Sequence, residues 1–190
     1  VNREELSVLV VGLGNREITP DALGPRVADN MMITRHVIRE FGKYALGAEH
    51  SNLISSIVPG VMAQTGMESL EIIRGVIRET EPDCIVAVDA LAARSVKRLN
   101  RTIQITNTGI NPGSGVGNHR HGLNRESVGI PVIAIGVPTV VDAATIVNDA
   151  ISGYYEEVDC TLNSFFVTPK DIDESIKRLS FTISEGLNLA

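Results

Sequence analysis

Short, continuously apolar runs alternate with stretches of helical periodicity, and this constrains the chain more than any other feature. Cys84-Ile85-Val86-Ala87-Val88 is apolar at every position and too short to stand as a helix. A run of that kind is buried on both faces, as central strands of parallel sheets are. Leu6 to Val11 and Leu53 to Val58 read as earlier strands, the second closed by Pro59-Gly60. Val132 to Ile135, followed by Gly136-Val137-Pro138, reads as a later one, and the more alternating Thr102 to Thr106 as a strand nearer an edge. Between them lie helical patterns. One runs from Thr19 to about Phe41, with Thr19 as N-cap and Pro20 at the first helical position. Others run over Glu68 to Glu79, Val140 to Tyr155 and Ile172 to Leu187, the last with a stripe of Ile172, Ile176, Leu179, Ile183 and Leu187. This order predicts a layered α/β fold around a mostly parallel sheet.

The chain has 190 residues, which fits one domain over 1–190. Aromatic residues are 4% and Trp is absent, so the core must be built from Val, Ile, Leu and Ala. A net charge of −6 leaves no electrostatic footprint for phosphates, so no direct nucleic-acid partner is expected. That charge does suit a basic or unfolded polypeptide. Cys84 and Cys160 give no disulfide framework and no zinc spacing. Val1 to Ser7 is polar, with no secretory leader in it, and no apolar run is long enough to span a bilayer. The expectation is a reducing interior compartment and no membrane.

Thr108 to Arg125 stands apart, with five glycines and Asn111, Asn118 and Asn124 between them. An eighteen-residue aperiodic stretch inside a domain is functional or disordered. Its apolar content is too low for a core element, and 108–125 reads as a glycine-rich active-site loop.

Several chemistries are tested and fail. Gly12-Leu13-Gly14 has Glu17 where a dinucleotide fingerprint needs its third glycine, so a tight strand-to-loop turn is the plainer reading. Gly113-Ser114-Gly115 is not the serine-hydrolase elbow, and Cys84 lies inside a strand. The Asp-Thr-Gly or Asp-Ser-Gly of the usual aspartic proteases is absent. His36, His50, His119 and His121 read as solvent-facing, although the last two could offer one metal ligand.

One internal echo remains. Asp21-Ala22-Leu23-Gly24-Pro25-Arg26 and Asp89-Ala90-Leu91-Ala92-Ala93-Arg94 share the pattern D-A-L-x-x-R, each following an apolar strand. With sheet order 2-1-3, the first and third strands are neighbours, and their chains leave in opposite directions to open a crevice beyond their carboxyl ends. Asp21 and Asp89 would face each other there. Two carboxylates in one site cannot both ionise cheaply and tend to hold one proton, as peptide hydrolysis by an activated water requires. The same geometry could hold a metal ion. Arg26 or Arg94 could orient or neutralise a carboxylate. Taken singly, Asp21 could instead complement a helix dipole, and Asp89 could cap a turn at a strand end.

Longer motifs carry a resemblance. Val10-Val11-Gly12-Leu13-Gly14-Asn15, Thr19-Pro20-Asp21-Ala22-Leu23-Gly24-Pro25, Val58-Pro59-Gly60-Val61-Met62, Asp89 to Arg94, Pro112 to Asn118, Gly129 to Ala143 and Val167-Thr168-Pro169-Lys170 resemble the spore germination protease family over about Leu6 to Leu187. The resemblance implies an atypical aspartic endopeptidase, made as a zymogen and active as a homotetramer. It would degrade the small acid-soluble proteins that coat spore DNA, in the spore core. It also implies a three-layer α/β/α sandwich of the phosphorylase/hydrolase-like kind, related to hydrogenase maturation proteases, which bind a metal between comparable acidic residues. The family's catalytic aspartates fall on Asp21 and Asp89. Two departures are expected: the family is longer before Val1, and it carries an insertion where this chain has only the shortened connection 156–166. The family also more often has His at Asn111.

We therefore expect Asp21 and Asp89 as catalytic residues and Asn15, Gly113, Ser114, Gly115 and Arg94 in contact with substrate, with Gly109 to Gly117 supplying backbone N–H groups. No cofactor is required. The alternative is a metal-dependent processing peptidase of the hydrogenase-maturation type, with the metal between Asp21 and Asp89.

Overall fold

Successive residues of the two central strands enter two different cores. Val10, Val86 and Val88 pack with Leu23, Val27, Ile172, Ile176 and Ile183, while Leu9, Val11, Ile85 and Ala87 pack with Leu70, Ile73 and Val132. That is the period-two alternation of a strand with both faces covered. Val11, Ile85 and Val88 have no exposed surface, and each such side chain contributes roughly 1.5–3 kcal/mol by burial.

The computed structural model describes residues 5–47, 52–113, 121–151, 162 and 164–189. In chain order its elements are β1 (Ser7–Gly12), a 3₁₀ turn (Thr19–Asp21), α1 (Leu23–Asp29), α2 (Arg35–Phe41), a second 3₁₀ turn (Lys43–Leu46), β2 (Leu53–Ile57), α3 (Met62–Thr65) and α4 (Ser69–Thr80). Then follow β3 (Cys84–Ala93), a third 3₁₀ turn (Val96–Arg98), β4 (Gln104–Thr106), α5 (Arg125–Val128), β5 (Val132–Asp142), α6 (Ala143–Ile151), β6 (Phe166–Val167) and α7 (Ile172–Asn188). The strand order is β2-β1-β3-β5-β4, with β6 also on β5. Strands β2, β1, β3 and β5 run parallel; β4 and β6 are antiparallel. Helices α1 and α7 cover one face and α4 the other, which is the expected three-layer sandwich. No described helix is long and apolar enough to cross a membrane.

Four local expectations are corrected. The single helix from Thr19 to Phe41 is instead a 3₁₀ turn and two helices. An unbroken helix would need an N–H at Pro25 for the carbonyl of Asp21, and proline has none. Further on, the buried Thr34 ties the chain to the start of β2: its N–H donates to Ile54 O (3.1 Å), and its Oγ1 bonds Asn52 O and accepts from Ile54 N. That tie turns α2 off the line of α1.

Asp89 does not end its strand; β3 continues to Ala93. Likewise β5 passes through Pro138 to Asp142. The ladder between β3 and β5 shifts register between Leu91 and Ala92, so Thr139 is unpaired beside Pro138, and a bulge of that kind is where a strand tolerates proline.

The glycine-rich stretch is not wholly outside the core. Ile110 and Leu123 form an antiparallel bridge, with N–H···O distances of 2.9 and 2.8 Å in the two directions. Leu123 is 1% exposed and packs among Leu9, Val11 and Ile85. Ser114, Gly115, Gly117 and His119 lie outside the described residues, as do His50, Cys160 and most of the connection 156–166.

Candidate active site

The site begins where β1 stops. The N–H of Leu13 donates to Val88 O at 2.8 Å, and the chain then turns away at Gly14, whose φ is +113°. A Cβ at Gly14 would lie 2.1 Å from the carbonyl oxygen of Asp21, so only glycine lets the two segments meet. The turn reading of Gly12-Leu13-Gly14 accounts for this geometry. Asn15 follows, and its N–H donates to Asp21 Oδ2 at 2.7 Å. The Asn15 Oδ1 accepts from the N–H of Glu17 (3.0 Å) and from Gln64 Nε2 (3.3 Å), which fixes the loop to α3.

Asp89 comes from the neighbouring strand and is 3% exposed. Its Oδ1 accepts the N–H of Ala90 at 2.9 Å. Strands β1 and β3 pair directly, from Val8↔Cys84 to Gly12↔Val88, so the turn after β1 and the continuation of β3 flank one gap. This is the topological switch point of the sheet.

A cleft of about 950 Å³ opens there. Asp21 and Asp89 both line it, with Asn15, Gly113 and Arg94, so five of the seven expected site residues share one cavity. The remaining two, Ser114 and Gly115, lie outside the described residues. The sequence reading missed Arg98, Gln104, Thr139 and Thr168, which also line the cleft. Thr139 and Thr168 arrive because β5 runs past Pro138 and β6 pairs with it; the sequence signal was Pro138, read as a terminator. Thr139 Oγ1 is buried with no hydrogen-bond partner.

The hexapeptide echo does not correspond to one repeated structure. Its first copy is a 3₁₀ turn leading into a helix and its second is a strand, although both deliver an aspartate to the cleft. The arginines part company. Arg94 lines the cleft, whereas Arg26 is exposed on α1 and lines a separate depression of about 480 Å³ with Asp29, Glu174 and Lys177. A carboxylate-orienting role for Arg26 is thereby removed. His36 is exposed on α2, and His121 is exposed at the base of the loop with Nδ1 2.7 Å from Glu68 Oε2.

Among the described residues, the charged side chains along the cleft are Asp21, Asp89, Arg94 and Arg98. Among the described residues no cluster of three or more His, Cys, Asp or Glu side chains could hold a metal. Two carboxylates fall short of the three protein ligands that catalytic zinc sites use, so the described donor set does not fit such a metal. The cleft holds a buried and a half-buried carboxylate, with the backbone of Asn111 to Gly113 nearby.

These features place the molecule among doubly wound α/β proteins with a cleft at the switch point of the sheet, lined here by Asp21 and Asp89. The chain belongs to the germination protease family, whose model matches residues 1–158. It is similar to the germination protease of Caldanaerobacter subterraneus subsp. tengcongensis, at 44% identity over 218 residues, covering 99% of this chain and 67% of that one. The germination protease of Clostridium perfringens is 43% identical over 217 residues (98% and 66%), and that of Bacillus velezensis 55% over 148 residues (78% and 40%). The chain thus spans about two thirds of the clostridial length and less of the Bacillus one. Among solved structures it is similar to the [NiFe] hydrogenase maturation protease HycI from Thermococcus kodakarensis KOD1 (19% identity, 95% and 91% covered, TM-score 0.46) and to the hydrogenase maturating endopeptidase HybD from E. coli (12%, 97% and 93%, 0.43).

Proposed function

We propose that this chain is the catalytic core of an endopeptidase that degrades small acid-soluble spore proteins, with Asp21 and Asp89 activating the attacking water. The carrying observation is that both carboxylates, one from the 3₁₀ turn that follows β1 and one from within the neighbouring β3, line one cleft. One carboxylate takes a proton from water as its oxygen attacks the peptide carbonyl carbon. The other, protonated, gives its proton to the amide nitrogen as the C–N bond breaks. Backbone N–H groups near Gly113 would face the developing oxyanion. Family membership supports the substrate class. It also supports a homotetramer, a zymogen and a location in the spore core.

The test is digestion of a purified small acid-soluble spore protein by the full-length protein and its Asp21→Asn and Asp89→Asn variants. Cleavage by the parent with loss in both variants is expected, and full activity in either variant ends the assignment. Exhaustive chelation before assay should leave the rate unchanged. Loss of activity restored only by added metal would favour the metal-dependent alternative.

A further inference from the structure

Strand β3 outlasts its neighbour. Its pairing with β1 ends at the bond from Leu13 N–H to Val88 O, yet β3 continues through Ala93, paired there, among the described residues, with β5 alone. Along a strand, a residue's N–H and C=O point to one side and those of the next residue to the other. Val88 faces β1, and Ile85, whose N–H donates to Pro131 O, faces β5. By that alternation Ala90 and Ala92 present their main-chain groups to the vacant side. Among the described residues no strand pairs with that edge.

An open edge is ordinarily a liability that proteins cover or charge. Here it lies inside the cleft: every residue from Asp89 to Arg94 lines it. The first free donor on the edge, Ala90 N–H, is taken by Asp89 Oδ1 at 2.9 Å. The carboxylate thus sits on the edge, just beyond the final rung from β1. Among the described residues, the groups on this edge left without a strand partner are the carbonyl of Ala90 and both the N–H and the carbonyl of Ala92. Ala90, Ala92 and Ala93 keep the wall low, leaving room for another chain's side chains.

We propose that the polypeptide substrate binds as an added strand along Ala90 to Ala93, in line with β1, with its scissile bond beside Asp89. This rests on the peptidase reading above. The edge spans about 13 Å at ~3.3 Å per residue, enough for roughly four substrate residues on one side of the scissile bond. Strand addition of this kind draws affinity from main-chain bonds and specificity from alternate side chains.

The test uses the full-length protein and a peptide spanning one cleavage site mapped in the digestion above. Successive non-scissile amides are replaced by backbone esters, which remove one N–H donor each without altering the protein. On one side of the scissile bond, every second ester should lower kcat/KM roughly tenfold, and the intervening ones should change it less than about twofold. Equal losses at all positions, or none, would overturn strand addition while leaving the peptidase reading intact, provided the parent peptide is cut and Asp89→Asn is inactive. Failure to cut the parent peptide would remove both.

Discussion

The backbone N–H of Asn15 holds Asp21 Oδ2 at 2.7 Å, so a turn six residues upstream orients one of the two cleft carboxylates. The interaction separates charge from structure. In Asp21→Asn the side-chain oxygen still accepts from Asn15, so stability should stay within about 1 kcal/mol of the parent. The rate should fall about 10²- to 10⁴-fold with little change in KM, as expected for loss of an acid–base group. Urea unfolding alongside steady-state kinetics checks both. A variant that loses stability in step with activity would mean that the carboxylate serves the fold.

Gly24 is where α1 meets the sheet. A Cβ there would lie 2.3 Å from Leu13 O and 2.4 Å from Val88 O, both backbone atoms that cannot rotate away. Gly24→Ala should therefore destabilise the protein by about 3 kcal/mol. The measurement is a lower urea midpoint with an unchanged denaturant slope. A neutral result would mean that α1 does not abut the strand ends.

Leu123→Ala tests whether the base of the glycine-rich stretch belongs to the core. The side chain is 1% exposed, and its removal should cost about 3 kcal/mol, in the range of other buried leucines. A cost below about 1 kcal/mol would mark that segment as surface loop.

Burial, and next the negative charge of Asp83, raise the Cys84 thiol above its ordinary range. As pH rises, the unfolded thiol ionises first, near about 8.5, while the folded one keeps its proton. This contribution to stability is complete below that value and is lost as pH climbs towards the folded value. Urea midpoints at neutral and alkaline pH should show a decline that is shallower in Cys84→Ala. Equal declines in the two proteins would refute it.

Much of the fold is legible because buried strands must be apolar for their full length. Cys84 to Val88 and the stripe of the last helix both announce themselves that way, and each of the two D-A-L-x-x-R segments brings its aspartate to the cleft. What is not legible depends on atoms distant in sequence. Ala90 to Ala93 is compatible with several local structures, and only pairing with β5 makes it strand. Pro138 looks like a stop until the register shift beside it is seen, and the pull of Thr34 on β2 has no local signature. Arg26 and Arg94 occupy equivalent places in the motif but diverge because one copy enters a helix and the other a sheet.

No side chain stands between Gly12 and Gly24, where a Cβ on the first would meet the carbonyl oxygen of the second at 2.3 Å. At this point the segment bearing Asp21 meets the sheet main chain to main chain, while Leu23 and Val27 pack beside it. Neither backbone can yield there as a side chain would, so a Cβ at either glycine would push the whole segment, and Asp21 with it, away from the sheet. Changes at the rim of the cleft, at Arg94, Arg98 or Gln104, leave that contact untouched.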